Sequence, residues 1–272
     1  NIFIEVIFMK DGHIHSHYCP HGTSDSFEMY IENAIKNGYD EISFTEHFPL
    51  PDGFVDPSPE QDSTPSVEAF ERYLDEAEEM KKKYRDKIKI NVGTEVDYLE
   101  GYEEQIKNNL EKYGKRLDDA LLSVHNMKIC GEFVCIDYST EEFKRISDLA
   151  GGVDKLYRKY YETVKKAVES DLGEHKPKRF GHLNLIRKFC KVFEYDYSEQ
   201  DILEDIMKAL KENEFELDLN VSGIRNPYCG EIYVSGYLKE LADKYDIKTV
   251  LGSDSHTAET IVSREEYEKF TK

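Results

Sequence analysis

The chain has 272 residues, 36 of them Lys or Arg against 56 Asp or Glu, for a formal net charge of −20. Nucleic acids are held by basic surfaces, so a chain this acidic is not read as a nucleic-acid binder. No run reaches the roughly 18 apolar residues of a membrane span. The apolar residues 2–9 are interrupted by Glu5 and lack a basic leader, so they are not read as a secretory signal. The five Cys form no CxxC pair, which predicts a reducing, cytoplasmic setting without a disulfide framework.

In chain order, a strand is predicted over 10–15 and a helix over 26–37, stopped by Gly38. A second strand over 41–46 runs into a Pro-rich stretch, 52–65, with Pro57, Pro59 and Pro65. That stretch reads equally well as a cover for a site at the strand ends and as a surface connection. Helix 66–84 places Val67, Phe70, Leu74, Ala77 and Met80 at helical spacing. Strand 88–95, helix 102–112 and strand 119–124 follow, then helix 154–170, strand 179–183, helix 198–212, strand 216–221, helix 235–244 and strand 248–252. Alternation of this kind predicts an α/β fold with a parallel sheet. Seven units without a linker predict a closed barrel, with a doubly wound open sheet as the competing shape. Neither GxGxxG nor GxxxxGK[ST] occurs.

The chemistry-bearing residues are histidines. Of the nine His in the chain, four lie in the run His13-Ile-His-Ser-His-Tyr-Cys-Pro-His21. Side chains alternate along a strand, so His13 and His15 share a face and form a natural pair of metal ligands. Pro20 and Gly22 turn the chain and bring His21 back over the same end. His17 is undecided, and Cys19 reads as a packed thiol. His47, His125, His182 and His256 each follow a predicted strand, Glu95 ends another, and Asp254 ends the strand that His256 follows. In a parallel barrel those ends converge on one rim. Seven His and two carboxylates are too many for one ion, so two or three metals are expected. His175, in a loop before a strand, reads as solvated.

Asp11-Gly-His-Ile-His15, Cys19-Pro-His-Gly22, Phe44-Thr-Glu-His47, Gly93-Thr-Glu-Val-Asp97, Ser123-Val-His125, Gly181-His182 and Gly252-Ser-Asp-Ser-His256 together resemble the PHP (polymerase and histidinol phosphatase) superfamily. The resemblance runs from Lys10 to about His256 and is nearest to its stand-alone bacterial histidinol-phosphate phosphatases. It implies a single domain over 9–272, folded as a distorted (β/α)7 TIM-like barrel with its metal site at the C-terminal ends of the strands. Residues 1–8 lie outside the pattern, and Met9 is the expected natural start.

The resemblance also implies three divalent ions. One would take His13, His15, Glu95 and Asp254. A second would share Glu95 and add His125 and His182. The third would take His21, His47 and His256. Imidazole and carboxylate donors suit zinc, iron or manganese. The implied reaction is hydrolysis of L-histidinol phosphate to L-histidinol and phosphate by a metal-bridging hydroxide, with another small phosphate ester or nucleotide as the alternative substrate. Asp254 is the expected proton acceptor and His17 a speculative proton donor. Arg225 is the foremost phosphate-binding candidate, ahead of Arg158 and then Arg187. Asp97, Glu46 and Asp52 are candidates for the imidazole and ammonium of the substrate.

Overall fold

Buried strands of mixed polar and apolar residues form the centre of the molecule. All seven residues of one strand, Glu41–His47, are buried, as a sheet covered on both faces requires. The protein is described by a computed structural model covering residues 7–271. Its elements are β1 (Lys10–Ile14), α1 (Phe27–Asn37), β2 (Glu41–His47), α2 (Val67–Tyr84), β3 (Lys89–Asp97), α3 (Glu103–Tyr113), β4 (Asp119–Ser123), β5 (Asn126–Ile129), β6 (Glu132–Cys135), α4 (Thr140–Ala150), α5 (Val153–Glu169), β7 (Arg179–Phe180), α6 (Ile202–Glu212), β8 (Glu216–Asn220), α7 (Ser222–Arg225), α8 (Gly236–Lys244), β9 (Thr249–Gly252) and α9 (Arg264–Phe270).

Seven strands pair in the order β1-β2-β3-β4-β7-β8-β9, every neighbour parallel. Beyond β9 the chain meets β1 again. Asp254 N–H donates to the His13 carbonyl at 2.8 Å, and His15 N–H donates to that of Ser255 at 2.9 Å. These bonds nearly close the sheet and decide for the barrel over the open sheet. All seven predicted strands are present, as are the six predicted helices, with the fifth starting later, at Ile202. The antiparallel hairpin β5–β6 and the helices α4, α7 and α9 were not predicted. The expectation for residues 1–8 falls largely outside the described residues; Met9 itself is buried.

Helices cover the barrel through apolar stripes. In α2, Phe70, Tyr73, Leu74, Ala77 and Met80 face inward, and the Tyr73 hydroxyl reaches the carbonyls of Phe44 and Gly93, each at 2.8 Å. On α5, Tyr160 donates to the Leu183 carbonyl at 3.0 Å and Tyr161 to Asn184 Oδ1 at 2.6 Å. Both bonds hold the segment that follows β7. The N-terminal end of the barrel is filled by a charged layer. Arg179 donates to Asp119 Oδ2 (3.0 Å) and the Gly12 carbonyl (2.7 Å), Ser43 donates to Asp119 (2.6 Å), and Lys10 lies 2.9 Å from Glu41. Among the described residues no helix is long and apolar enough to cross a membrane.

Candidate metal centre

The opposite end carries the histidines. His13 and His15 leave β1 on one face, their Nε2 atoms 3.2 Å apart. Glu95, near the end of β3, stands between two groups. Its Oε2 lies 3.4, 3.5 and 3.3 Å from nitrogens of His13, His15 and His47. Its Oε1 lies 2.8 Å from His182 Nε2 and 3.7 Å from His125 Nε2, and accepts from Ser123 Oγ at 2.6 Å. Asp254 Oδ1 faces His15 Nε2 at 3.2 Å and His13 Nε2 at 3.6 Å. The His256 ring stacks on His15 with centroids 4.1 Å apart, and the His21 ring lies 5.1 and 5.2 Å from those of His47 and His256. All nine expected donors are therefore gathered at one rim.

Backbone geometry aims two of them. His182 has φ 23° and Asp254 φ 50°, a left-handed conformation that non-glycine residues adopt at a cost and that concentrates at functional sites. The preceding glycines make room. A Cβ at Gly181 would lie 2.1 Å from Ser123 Oγ, and one at Gly252 2.0 Å from Asp218 Oδ1.

Within this array three sets of donor atoms converge closely: His13, His15 and Asp254; Glu95, His125 and His182; and His15, Cys19, His47 and His256. The third differs from the expected set by holding His15 and Cys19, with His21 beside it. The donor set fits divalent cations. Imidazole and carboxylate suit zinc, iron or manganese, and His47 Nε2, His182 Nδ1 and His256 Nε2 are buried ring nitrogens without a hydrogen-bond partner. Most buried polar atoms in proteins are paired, so three orphaned imidazole nitrogens at one rim fit a site for a cation.

The electrostatics agree. Burial alone would lower the imidazoles, but Asp254, Glu95 and Asp218 raise His13 well above the ordinary range. His15 rises to about 9 against its burial through Asp254 and Glu46, and His125 to about 10 through Glu95 and Asp97. Burial would raise Glu95 and Asp254, yet the imidazoles hold both well below the carboxylate range. Burial and the neighbouring His15 push His47 well down and His256 to about 3. Charge is balanced here by protons on imidazoles, the role a cation takes when bound.

Behind the donors stand carboxylates that orient them. Asp218 Oδ2 lies 2.8 Å from His13 Nδ1, and Glu46 Oε1 lies 3.4 Å from His15 Nδ1 while its other oxygen accepts from Ser16 Oγ at 2.6 Å. Asp97 Oδ1 lies 3.4 Å from His125 Nδ1 and accepts that residue's backbone N–H at 2.7 Å. Glu46 and Asp97 are thus spent on imidazoles, not on a substrate, and Asp52 does not line the cavity.

The donors open into a cavity of about 800 Å³. Ser58, Glu60, Asp62 and Ser63 line it, so the Pro-rich 52–65 stretch faces the site; His21 Nδ1 sits 3.0 Å from the Asp62 carbonyl. Arg225 reaches the cavity from α7, its Nη2 donating to the Ser253 carbonyl at 2.6 Å. The other two arginines are not brought here. Arg158 is a half-buried residue of α5 that does not line the cavity and is paired with Glu162 and Asp201, and Arg187 turns away to Glu231 at 2.7 and 2.8 Å. His17 does not line the cavity either; its Nε2 lies 3.4 Å from Glu76. His175 packs its ring over Gly114 instead of standing in solvent.

Sequence reasoning missed Lys188. It lines the cavity and pairs with half-buried Asp137 at 2.8 Å. Burial would raise Asp137, but Lys188 and His125 hold it below the carboxylate range. Tyr138 and Tyr233 complete that wall.

Residues 11–222 match the PHP domain model. The histidinol-phosphatase of Bacillus subtilis is 41% identical over 251 residues, 92% of this chain and 94% of that protein. The histidinol-phosphatase of Lactococcus lactis is 26% identical over 262 residues, 91% of this chain and 84% of that protein. Among solved structures, a candidate histidinol phosphatase of Listeria monocytogenes superposes with a TM-score of 0.89 at 36% identity, covering 93% of this chain and 97% of that one. The Lactococcus lactis histidinol phosphate phosphatase, solved with zinc, L-histidinol and phosphate, has a TM-score of 0.73 at 24% identity over 96% of this chain and 90% of that one. With the family's model spanning most of the sequence and its motifs converging on one rim, the chain belongs to the PHP domain family.

Proposed function

We propose that the protein is a metal-dependent phosphomonoesterase that hydrolyses L-histidinol phosphate to L-histidinol and phosphate. The observation that carries this reading is the near full-length identity of 41% to the Bacillus subtilis histidinol-phosphatase. The convergence of nine metal-type donors beside two cavity-lining cations, Arg225 and Lys188, agrees with it.

Three divalent ions, zinc, iron or manganese, would sit with His13, His15, Glu95 and Asp254; with Glu95, His125 and His182; and with His21, His47 and His256. When bound, such ions neutralise phosphoryl oxygens and acidify water near neutral pH. The chain's own residues supply the rest. Arg225 and Lys188, both lining the cavity, present positive charge to the ester phosphate, where phosphoryl transfer depends most on electrostatic positioning. Asp137 fixes the Lys188 ammonium. Asp254 Oδ2 accepts from Asn220 Nδ2 (3.2 Å) and Ser222 Oγ (3.1 Å), which orients the carboxylate at the rim where it would receive a proton from the attacking water. Glu60 and Asp62 at the mouth suit the cationic end of the substrate.

Phosphate release from L-histidinol phosphate by metal-replete protein, beside a panel of phosphomonoesters, tests this. A kcat/KM roughly 100-fold above the panel, about 2.7 kcal/mol of transition-state discrimination, is expected. Flat, low activity across the panel would reject the substrate and leave the metal reading standing.

A further inference from the structure

Two thiols meet where two walls of the cavity join. Leu185, Lys188 and Phe189 line it from a short turn that ends at Cys190. Asn226, Pro227 and Tyr228 line it from the segment that ends at Cys229. Lys191 N–H donates to the Tyr228 carbonyl at 3.0 Å, which sets Cys190 opposite Cys229. The Cys190 thiol faces the Cys229 carbonyl with its sulfur 3.9 Å away, the Cys229 thiol faces the Glu231 carbonyl at 3.9 Å, and the two side chains are in contact. Both cysteines are free and buried.

They are not equivalent. Cys190 forms part of a separate surface hollow of about 370 Å³, shared with Arg187, Glu194, Tyr195 and Asp196. The Cys229 thiol and the Arg187 guanidinium draw the Cys190 thiol below its ordinary range, while the same contact and burial push Cys229 up. Thiolate character with access marks the attacking sulfur, and a protonated neighbour marks the resolving one. Burial, and then the neighbouring Glu46 and Asp137, push the Cys19 and Cys135 thiols well up, and Cys130 is exposed on a hairpin turn.

We propose that Cys190 and Cys229 are a peroxide-reactive pair that closes to a reversible disulfide across the cavity wall. The Cys190 thiolate attacks one peroxide oxygen, the O–O bond breaks, and water leaves after taking up a proton. The resulting sulfenic acid is displaced by the Cys229 sulfur, forming the S–S bond and a second water. The two sulfurs are oxidised by two electrons in all and peroxide is reduced. Disulfides of this kind in a reducing compartment are characteristically transient. The bond would tie the Lys188 wall to the segment that follows Arg225.

Full-length protein treated with hydrogen peroxide and then alkylated is read by mass spectrometry. A species lacking two alkyl groups relative to the untreated control, with a Cys190–Cys229 linked peptide that dithiothreitol abolishes, is expected. In Cys229→Ser, Cys190 should stop at a sulfenic acid trapped by dimedone, and Cys190→Ser should give neither product. Peroxide that consumes Cys130 while Cys190 and Cys229 stay alkylatable would overturn the pairing. This arm does not depend on the phosphatase reading. A second arm does: cross-linking should lower ester turnover at least about threefold, as constraint of a site-lining segment does, with recovery in dithiothreitol. Loss of the same size in Cys229→Ser would overturn the link between disulfide and cavity.

Discussion

His13 is oriented from behind by Asp218, a carboxylate that contributes nothing to the rim itself. Partners of this kind fix ligand rotamer and tautomer, and their loss typically weakens metal affinity or activity about 10–100-fold. Asp218→Asn is therefore expected to lose metal to a chelator roughly 10–100-fold more readily, read by metal content after competition; retention equal to the parent would contradict the role. Removing a charge-assisted contact to the phosphate, by Arg225→Ala or Lys188→Ala, should cost about 1.5–3 kcal/mol, or roughly 10–100-fold in kcat/KM. Arg158→Ala, on the outer surface, should stay within about 0.5 kcal/mol in stability and leave kinetics unchanged. The nine donors were legible because their positions at the ends of successive strands need only strand periodicity to be seen. Asp218, Glu46 and Asp97 were not, since a carboxylate in a strand reads alike whether it meets an imidazole or a substrate. Arg187 and Lys188 are neighbours in sequence, and only the short turn that holds them sends one to Glu231 and the other into the cavity.

Among the elements, the unpredicted β5–β6 hairpin shapes the wall that carries Cys135, Asp137 and Tyr138. Its tight turn has φ 50° at Cys130 and φ 90° at Gly131, the left-handed pair that two-residue hairpin turns require. Asn-Gly would have announced it; Cys-Gly does not, because Cys rarely adopts positive φ. Cys130→Asn should relieve that strain and raise stability by about 0.5–1 kcal/mol, seen as an increase in the unfolding midpoint without a change in activity. The seven barrel strands were readable from apolar runs bounded by turn residues. Strand 179–183 was drawn too long because its backbone turns at His182, where tertiary bonds from Tyr160 and Tyr161 fix the path.

At the scale of the whole molecule, the rim and the opposite end handle charge differently. Without metal, His15 and His125 hold protons up to about 9 and about 10, against about 6.5 in an unfolded chain. Their contribution to stability is therefore full below about pH 6.5 and is lost as the pH rises through 9 to 10. Metal loading at neutral pH must expel those protons. Calorimetry in buffers of different ionisation enthalpy should show proton release on metal addition, and affinity that falls as the pH drops from 8 to 6; buffer-independent heats would refute this. At the other end, Arg179→Met would leave Asp119 poorly compensated and should cost about 3 kcal/mol, measured by denaturant unfolding. The closed topology was read from seven repeated units, while the closure contacts past β9 depend on the turn at Asp254 that no local pattern announces.

The charged layer formed by Arg179, Asp119, Lys10 and Glu41 has one more consequence. It stoppers the barrel, so the cavity at the histidine end is a cul-de-sac. The 52–65 stretch, the hairpin wall and the Asn226–Tyr228 segment line that cavity together, so ester, water, alcohol and phosphate pass the same residues. Traffic through it is sequential: free phosphate occupies the seat that the next ester needs, so departure of the product governs when the following molecule can arrive.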